Sequence, residues 1–237
     1  MKRLICSLAL GLPLAAAPAC DDDAASTPKT VVYSGAIADG ANQTPIAGAE
    51  ICFVSQPELA CVETAADGSY SVKLPIKTKV EVEVVRDGFI SVRSNFVTRE
   101  VDSSISAQMF APAAVEAAFQ LAGATYDDTK GGMLVRVYDP AKGQLVGLAG
   151  VAIEVEPSDG DGPYYLDGLT FNTSATATTA VGNALFSQLE DKTYKVRFTS
   201  TTHDCKGTYL WKSSDGRVEA IVKPGFATYI YADCTAK

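Results

Sequence analysis

The sequence predicts an all-β protein made of two tandem antiparallel β-sandwich domains joined by a short helical linker. Three observations lead to this prediction. From Thr30 onward polar and apolar residues alternate with a period of two, in runs rich in Val, Ile, Tyr and Thr, which favours strands. Gly, Asp and Pro interrupt these runs at short intervals, as turns do between the short strands of a sandwich. The pattern of the first half then returns in the second half.

The alternating runs are clearest at residues 79–85 (KVEVEVV), 150–156 (GVAIEVE) and 228–232 (TYIYA). Each predicts a strand whose two faces differ in burial. Asp-Gly pairs, which favour tight turns, separate several of the runs. These pairs lie at residues 67–68, 87–88 and 215–216.

One segment departs from the strand pattern. Residues 112–122 (PAAVEAAFQLA) are rich in alanine and carry proline in the first turn, which predicts a short helix. Its position in the middle of the chain is that of a linker. We therefore expect a first sandwich over residues 31–110, a linker over 111–130 and a second sandwich over 131–237.

The two halves repeat one order of motifs. In the first half residues 46–54 (IAGAEICFV) precede 64–74 (TAADGSYSVKL), and in the second half 148–156 (LAGVAIEVE) precede 178–189 (TTAVGNALFSQL). The second half also has ten extra residues, DGDGPYYLDG, at 159–168. The repeat predicts two copies of one fold, the second carrying an insertion.

The motifs of the first half resemble a known family. A strand that ends in Asp39, then P-I-x-G-A-x-I at 45–51 and T-x-x-D-G-x-Y at 64–70, resembles the carboxypeptidase regulatory-like domain. This is a transthyretin-like (Ig-like) sandwich of seven strands, found beside carboxypeptidases and in many bacterial surface proteins. The second half is less similar, since Val181 replaces the turn aspartate. The resemblance implies a fold and no catalytic residues, because those of carboxypeptidases belong to another domain.

The first 19 residues predict an export signal. Lys2 and Arg3 precede an apolar stretch, residues 4–17, that is too short to span a bilayer, and small residues lead to Cys20. Ordinary secretion and lipidation of Cys20, as in the bacterial lipoprotein signal that the tract resembles, would both cut before Cys20. Residues 20–30 are acidic and contain proline, as expected of a flexible tether.

The number of cysteines favours lipidation. Of six cysteines, Cys6 leaves with the signal, and Cys20 would be an odd thiol in an oxidising compartment unless it carries lipid. The other four can then form one disulfide in each half, although four cysteines allow three pairings. The predicted bridges are Cys52–Cys61 and Cys205–Cys234.

Composition limits the function. The chain has 20 basic and 28 acidic residues, a net charge of -8, and no basic run, so we expect no nucleic-acid partner. A single histidine, His203, excludes most hydrolytic chemistry that depends on histidine. No further apolar run reaches membrane-spanning length, so we expect contact with the membrane through the N-terminal lipid alone.

Two pairs of glutamates are candidate catalytic acids. Glu81 and Glu83 lie two residues apart on a predicted strand, about 7 Å, which falls in the range of an inverting glycosidase pair, and residues 154–156 hold a second pair. The repeat, however, places Lys195 and Arg197 at the positions of Glu81 and Glu83. A strand face that accepts either sign of charge is typical of a solvent-facing surface.

The insertion holds the candidate ligand-binding residues. Asp159, Asp161 and Asp167 offer carboxylates for calcium, but they lack the full EF-hand spacing, so a polar turn is favoured over a metal site. Strand alternation points Tyr164 and Tyr165 to opposite faces, which leaves one of them free to stack on a sugar or a peptide.

The sequence thus predicts a non-enzymatic lipoprotein of the bacterial cell envelope, facing the periplasm or the cell surface. Its expected role is structural, adhesive or ligand-presenting, with an envelope protein or a carbohydrate as partner. Two alternatives remain: an envelope hydrolase that uses carboxylates, and a small-ligand carrier, which needs an apolar pocket. The ligand, the membrane that holds the anchor and the oligomeric state stay open.

Overall fold

The structure, a computed structural model, describes residues 29–237 apart from 122, 144–145, 169, 173 and 208. Strands dominate the described chain, so the predicted all-β fold is confirmed. The first part contains β1 (Thr30–Asp39), β2 (Glu50–Phe53), β3 (Val62–Glu63), β4 (Ser69–Pro75), β5 (Lys79–Val85), β6 (Ser91–Val97), β7 (Ser103–Ser104) and β8 (Ala107–Met109). The second part contains α1 (Pro112–Leu121), β9 (Gly131–Tyr138), β10 (Ala152–Glu156), β11 (Asp161–Asp167), β12 (Thr170–Asn172), β13 (Asn183–Leu189), β14 (Thr193–Thr199), β15 (His203–Lys206), β16 (Val218–Ile221) and β17 (Phe226–Ala236).

Strands β1 to β8 form the first sandwich. One sheet holds β4, β1, β7 and β8, and the other holds β3, β2, β5 and β6. Period-two alternation buries one face of each main strand, as Val80 and Val84 of β5 show. These side chains join one hydrophobic core with Ile37 and Leu74 from the opposite sheet. The three Asp-Gly turns lie where the sequence places them, each with its glycine at positive φ.

Strands β9 to β17 form the second sandwich, which repeats the first. Strands β9 and β13 pair as β1 and β4 do, and β10 pairs with β14 as β2 pairs with β5. The insertion adds β11 and β12 to the outer edge of the β9 sheet. The predicted repeat is therefore present in the pairing of the strands.

A buried threonine marks the repeat at atomic detail. The Thr64 hydroxyl donates a hydrogen bond to the Ile46 carbonyl at 2.7 Å and accepts one from the Ala49 amide at 2.8 Å. Thr178 does the same in the second sandwich, where it donates to the Leu148 carbonyl at 2.7 Å. Each hydroxyl satisfies backbone groups that the entry into a strand leaves unpaired.

The two sandwiches share one sheet. Strand β17 pairs in parallel with β9 of its own sandwich and also with β6 of the first. The result is a ten-stranded sheet in the order β12, β11, β13, β9, β17, β6, β5, β2, β3, with β15 also paired to β17. Sequence alternation predicts strands and hairpins, but it carries no information about parallel pairing between distant segments.

Strand β17 also belongs to both hydrophobic cores. Ile230 and Ala232 lie in the core of the second sandwich, whereas Tyr229 lies in the core of the first, with Tyr231 packed against it. The prediction that the two faces of residues 228–232 differ in burial is therefore wrong. The face that points away from the second core is covered by the first sandwich.

The predicted helix is present as α1, which begins at Pro112. Its buried residue Phe119 packs against Tyr126, Tyr164 and Phe171, so the helix rests on the sheet edge that the insertion adds. No helix among residues that the structure describes is long and apolar enough to cross a membrane. The export signal and most of the tether lie outside the described residues, and the domain boundaries stay a prediction.

Candidate functional site

The glutamates of β5 are half-buried partners of a buried arginine. Arg93 on β6 is 8% exposed and donates from Nη1 to Glu83 Oε1 at 3.0 Å, while its Nη2 pairs with Glu81. Lys223 of the second sandwich reaches Glu83 at 3.2 Å. The expected solvent-facing surface is therefore wrong for β5, because the second sandwich packs over this face. It is right for the matching face of β14, where Arg197 is exposed and Lys195 is half-buried.

This arrangement does not serve hydrolysis. A glycosidase pair needs one protonated carboxyl and one carboxylate, both facing a substrate. Glu81 and Glu83 instead share one guanidinium in a nearly closed junction. The second pair, Glu154 and Glu156, is exposed and forms surface ion pairs with arginines. Both pairs thus act as ion-pair partners.

The junction between the sandwiches is held by hydrogen bonds to backbone carbonyls. Asn95 Nδ2 donates to the Glu219 carbonyl at 2.9 Å, and the Ser94 hydroxyl donates to the Tyr229 carbonyl at 3.0 Å. Trp211 Nε1 donates to the Phe96 carbonyl at 2.9 Å. These bonds join β6 to three segments of the second sandwich, so the two sandwiches form one body.

The four cysteines of the two sandwiches form the predicted pairs. Cys52 on β2 bonds to Cys61, which directly precedes β3, nine residues later. Cys205 on β15 bonds to Cys234, its register partner on β17. Each disulfide links neighbouring strands of one sandwich. Cys20 lies outside the described residues, so its lipidation stays a prediction.

The first aspartate of the insertion is paired with its neighbours. Asp159 accepts hydrogen bonds from Lys192 and, at 2.9 Å, from the Tyr194 hydroxyl. These bonds, the one from Lys192 first, lower the pKa of Asp159 below its ordinary value. Asp159 therefore ties the insertion to β14.

The other aspartates of the insertion do not converge. Asp161 begins β11 and Asp167 ends it, so six residues of extended strand, about 20 Å, separate them. Within the described part of the chain the one cluster with metal-ligand spacing is Glu50, Cys52 and Cys61, whose cysteines are already bonded to each other. The insertion thus lacks the geometry of a calcium loop.

The two tyrosines of the insertion point to opposite faces, as the alternation predicts. Tyr165 is 2% exposed, and its hydroxyl accepts a hydrogen bond from the Ile153 amide at 3.0 Å, so it is a core residue that no ligand can reach. Tyr164 is half-buried, with its ring 6.0 Å from Phe119 and 5.7 Å from Phe171. Of the pair, Tyr164 alone offers a surface for stacking.

A cavity of about 110 Å³ lies between the first sandwich and the β17 face of the second. Its walls include Tyr33, Val92, Phe96 and Tyr229. Pockets for small organic ligands span roughly 300–1,000 Å³, so this space is well below the size that a carrier needs. The cavity therefore does not support a role as a small-ligand carrier.

Sequence reasoning missed the junction residues Arg93 and Tyr229. One signal was present: residues 227–232 (ATYIYA) lack the charged residues that alternate with apolar ones in β5 and β14. A strand without a charged face is buried on both sides. The partner that covers the second face cannot be read from the pattern.

No protein-family model matches the chain, and no curated protein matches it either. The resemblance to the carboxypeptidase regulatory-like domain therefore stays a prediction.

Distant similarity to solved structures is found. The minor pilin GBS52 of Streptococcus agalactiae is 10% identical, with 88% of this chain and 96% of that chain covered and a TM-score of 0.31. The shaft pilin SpaA of Lactobacillus rhamnosus GG is 12% identical, with 88% and 98% covered and a TM-score of 0.28. The Bacillus anthracis TIE protein is 15% identical over 87% of this chain, with a TM-score of 0.29, and this chain spans 34% of its length. Values this low carry no functional argument.

Proposed function

We propose that the chain is an exported, non-enzymatic module of the bacterial cell envelope, with a structural or adhesive role. The observation that carries this proposal is the ten-stranded sheet through both sandwiches, in which β17 fills two cores. A body without a mobile joint keeps its surfaces at fixed distances, which suits a spacer or a presenting scaffold. The ion-paired state of the glutamate pairs supports a non-enzymatic role.

The module is held at the membrane by acyl chains on Cys20. The two disulfides support this part of the proposal, because they use all four cysteines of the described chain and leave Cys20 as the one thiol after removal of the signal. They also fit an oxidising compartment. The test is metabolic labelling with an alkyne fatty acid, followed by intact-mass measurement. Label on the native chain that disappears in Cys20→Ser is expected, and an unlabelled native chain would refute the anchor.

The insertion presents the ligand surface, and its partner is a carbohydrate or a protein of the envelope. Asp161 is exposed, and Tyr164 follows three residues later on the same strand with part of its ring accessible. A tyrosine ring beside a carboxylate suits stacking on a sugar together with hydrogen bonds to its hydroxyl groups.

A binding assay against purified cell-wall glycan fragments tests this surface. Asp161→Ala combined with Tyr164→Ala is expected to lose the binding that the native chain shows. The matched control is Asp167→Ala at the far end of β11, which is expected to bind as the native chain does. Equal binding by all three proteins would place the ligand elsewhere, and turnover of model glycosides by the native chain would favour the hydrolase.

A further inference from the structure

The two ends of the first sandwich differ in charge. At one end of this sandwich lie the first residues of β1 and β5 and the last residues of β4 and β6. We call it the tether end. Backbone hydrogen bonds close this end: the Ile76 amide donates to the Lys29 carbonyl and the Lys77 amide to the Thr98 carbonyl, each at 3.1 Å. Lys29 is the first described residue, so the predicted tether enters the fold here.

Four cationic and two acidic side chains lie at the tether end, the acids being Glu100 and Asp102, whose Oδ1 accepts from the Val32 amide at 2.8 Å. Lys29, Lys77 and Lys79 are exposed, and Arg99 is half-buried beside them. Lys77 pairs with Glu100 at 2.8 Å, a contact exposed to solvent on both sides. Among the residues that the structure describes, Lys29 and Lys79 have no acidic partner. The cluster cannot be seen in the linear sequence, because its members come from three separate segments, around residues 29, 77–79 and 99.

Aromatic side chains of the second sandwich complete this surface. The Tyr209 backbone carbonyl accepts a hydrogen bond from the Val97 amide at 2.6 Å, which holds the loop against the end of β6. Arg99 then lies over the Tyr209 ring at 3.9 Å, and Lys79 lies over the Trp211 ring at 4.9 Å. We call Lys29, Lys77, Lys79, Arg99, Tyr209 and Trp211 the tether-end patch.

The patch has the composition of a membrane interface. Tyr and Trp are the side chains enriched at the level of lipid headgroups, and Lys and Arg pair there with phosphate. Val101, next to Glu100, is 63% exposed and adds an apolar side chain.

The opposite end of the molecule holds more acidic than basic side chains, although Arg86 and Lys130 also lie there. In the first sandwich Asp39 ends β1, and Asp67 and Asp87 lie in turns at the same end. The second sandwich begins at this end as well. The first residue of β17, Phe226, pairs with the first residue of β6, Ser91, and the Gly225 amide donates to the Lys130 carbonyl at 3.1 Å. Its start adds four further acids to this end. They are Asp127, Asp128, Glu190 and Asp191.

We propose that the tether-end patch is a membrane-contact surface that binds anionic lipid headgroups and stands the module upright on the bilayer. Its orientation rests on the proposed Cys20 anchor. Nine residues separate Cys20 from Lys29, a reach of at most about 30 Å, so an acylated chain keeps the patch close to the headgroups. At that range the anionic surface attracts the cationic end and repels the acidic end.

Vesicle binding tests the patch without the anchor. The protein is residues 20–237 with Cys20→Ser, which retains both cores and carries no acyl chain. The probes are vesicles of phosphatidylcholine alone and of phosphatidylcholine mixed with phosphatidylglycerol. Trp211 is the single tryptophan of the chain, so its emission reports directly on the patch. We expect a blue shift and cosedimentation with the anionic vesicles, both lost at high salt.

Charge reversal locates the contact. Lys77→Glu with Lys79→Glu is expected to weaken binding to anionic vesicles by about tenfold or more. The matched control is Arg86→Glu with Lys130→Glu at the opposite end, which makes the same change in net charge and is expected to bind as the parent does. Circular dichroism of each variant establishes that it is folded.

Three outcomes would overturn the proposal: equal binding to both kinds of vesicle, equal loss in both charge-reversal variants, or binding to a soluble polyanion without binding to anionic vesicles. None of them bears on the anchor, because the test protein has no Cys20. The fatty-acid labelling of the native chain decides the anchor separately.

Discussion

Tyr229 and Ile230 are neighbours on β17, yet their side chains are buried in different hydrophobic cores. Tyr229 enters the first sandwich, where its hydroxyl donates to the Gln108 carbonyl at 2.6 Å. Ile230 enters the second sandwich and is fully buried. Successive side chains of a strand point to opposite faces, so a single strand closes both cores and couples their stability.

The coupling predicts one cooperative unfolding transition that either residue affects. Tyr229→Ala should lower the free energy of unfolding by about 3–5 kcal/mol, since it removes a buried aromatic ring. Chemical denaturation followed by circular dichroism measures this. Tyr209→Ala, at a side chain that is 42% exposed and lies under Arg99, is the matched control and should cost about 1 kcal/mol or less. Two separate transitions, with only one shifted by Tyr229→Ala, would contradict the coupling.

The two buried threonines, Thr64 and Thr178, should contribute equally to the free energy of unfolding. Thr64→Val and Thr178→Val keep the side-chain shape but remove the hydroxyl that bonds two backbone groups. Each should cost about 1–3 kcal/mol of unfolding free energy, because buried backbone groups lose their partner. Thr235→Val, exposed on β17, is the control and should be nearly neutral. If only one of the two variants lost stability, the two sandwiches would share the geometry of this threonine but not its contribution to stability.

The two disulfides should differ in their contribution. Cys205–Cys234 closes a separation of 29 residues and Cys52–Cys61 one of nine. On the loop-entropy model, removing the first pair should cost about 3.6 kcal/mol and the second about 2.6 kcal/mol. Thermal or urea unfolding of the two paired Cys→Ala variants measures the difference. The reverse order would show that packing around the sulfur atoms outweighs chain entropy.

The ion pairs at the junction should contribute more to the free energy of unfolding than those at the surface. Arg93→Met leaves Glu81 and Glu83 largely buried without their shared partner, and should lower stability by about 3 kcal/mol. Arg197→Met removes an exposed pair with Glu154 at 3.8 Å and should cost about 0–1 kcal/mol. Urea titration of both variants makes the comparison, and equal losses would argue against a buried junction.

Alkaline pH should destabilise the fold through its buried tyrosines. Burial raises the pKa of Tyr194 from 10.0 to about 12, and burial raises the pKa of Tyr70 and Tyr229 as well. Below pH 10 these phenols are protonated in both states, so stability does not depend on them. Between pH 10 and 12 the unfolded chain releases the Tyr194 proton first, and stability falls as pH rises.

Tyr194→Phe tests this dependence. Phenylalanine does not ionise, so the variant should lose less stability between pH 10 and 12 than the native chain does, whatever its stability at neutral pH. The measured quantity is the slope of unfolding free energy against pH. Identical slopes for the two proteins would remove Tyr194 as a cause.

Local patterns were enough to predict much of the fold. The strand at residues 79–85, the helix that begins at Pro112 and the Asp-Gly turns depend on alternation and turn preferences within a few residues. The repeat extended the prediction to the second half. Cysteine parity predicted two disulfides, and the positions of the cysteines within each half predicted their pairing. In each case the information lies within one segment or in a comparison of two.

The junction could not be predicted in the same way. The Ser94–Tyr229 hydrogen bond joins residues 135 apart, and no local pattern specifies which edge strand β17 will join. The repeat was misleading for Glu81 and Glu83, because the matching face of β14 is exposed while that of β5 is covered. The tether-end patch was missed for a related reason: its cations are distant in sequence and meet only in the folded chain.

The shared strand sets an order on folding during synthesis. The first sandwich is translated well before β17, so the β6 edge and the cavity around Tyr229 stay open until residues 226–236 have emerged. Contacts between segments this distant form slowly, and an open strand edge invites pairing with other chains. A chain that stalls within the second sandwich would therefore contain two incomplete domains, because neither hydrophobic core is closed without β17.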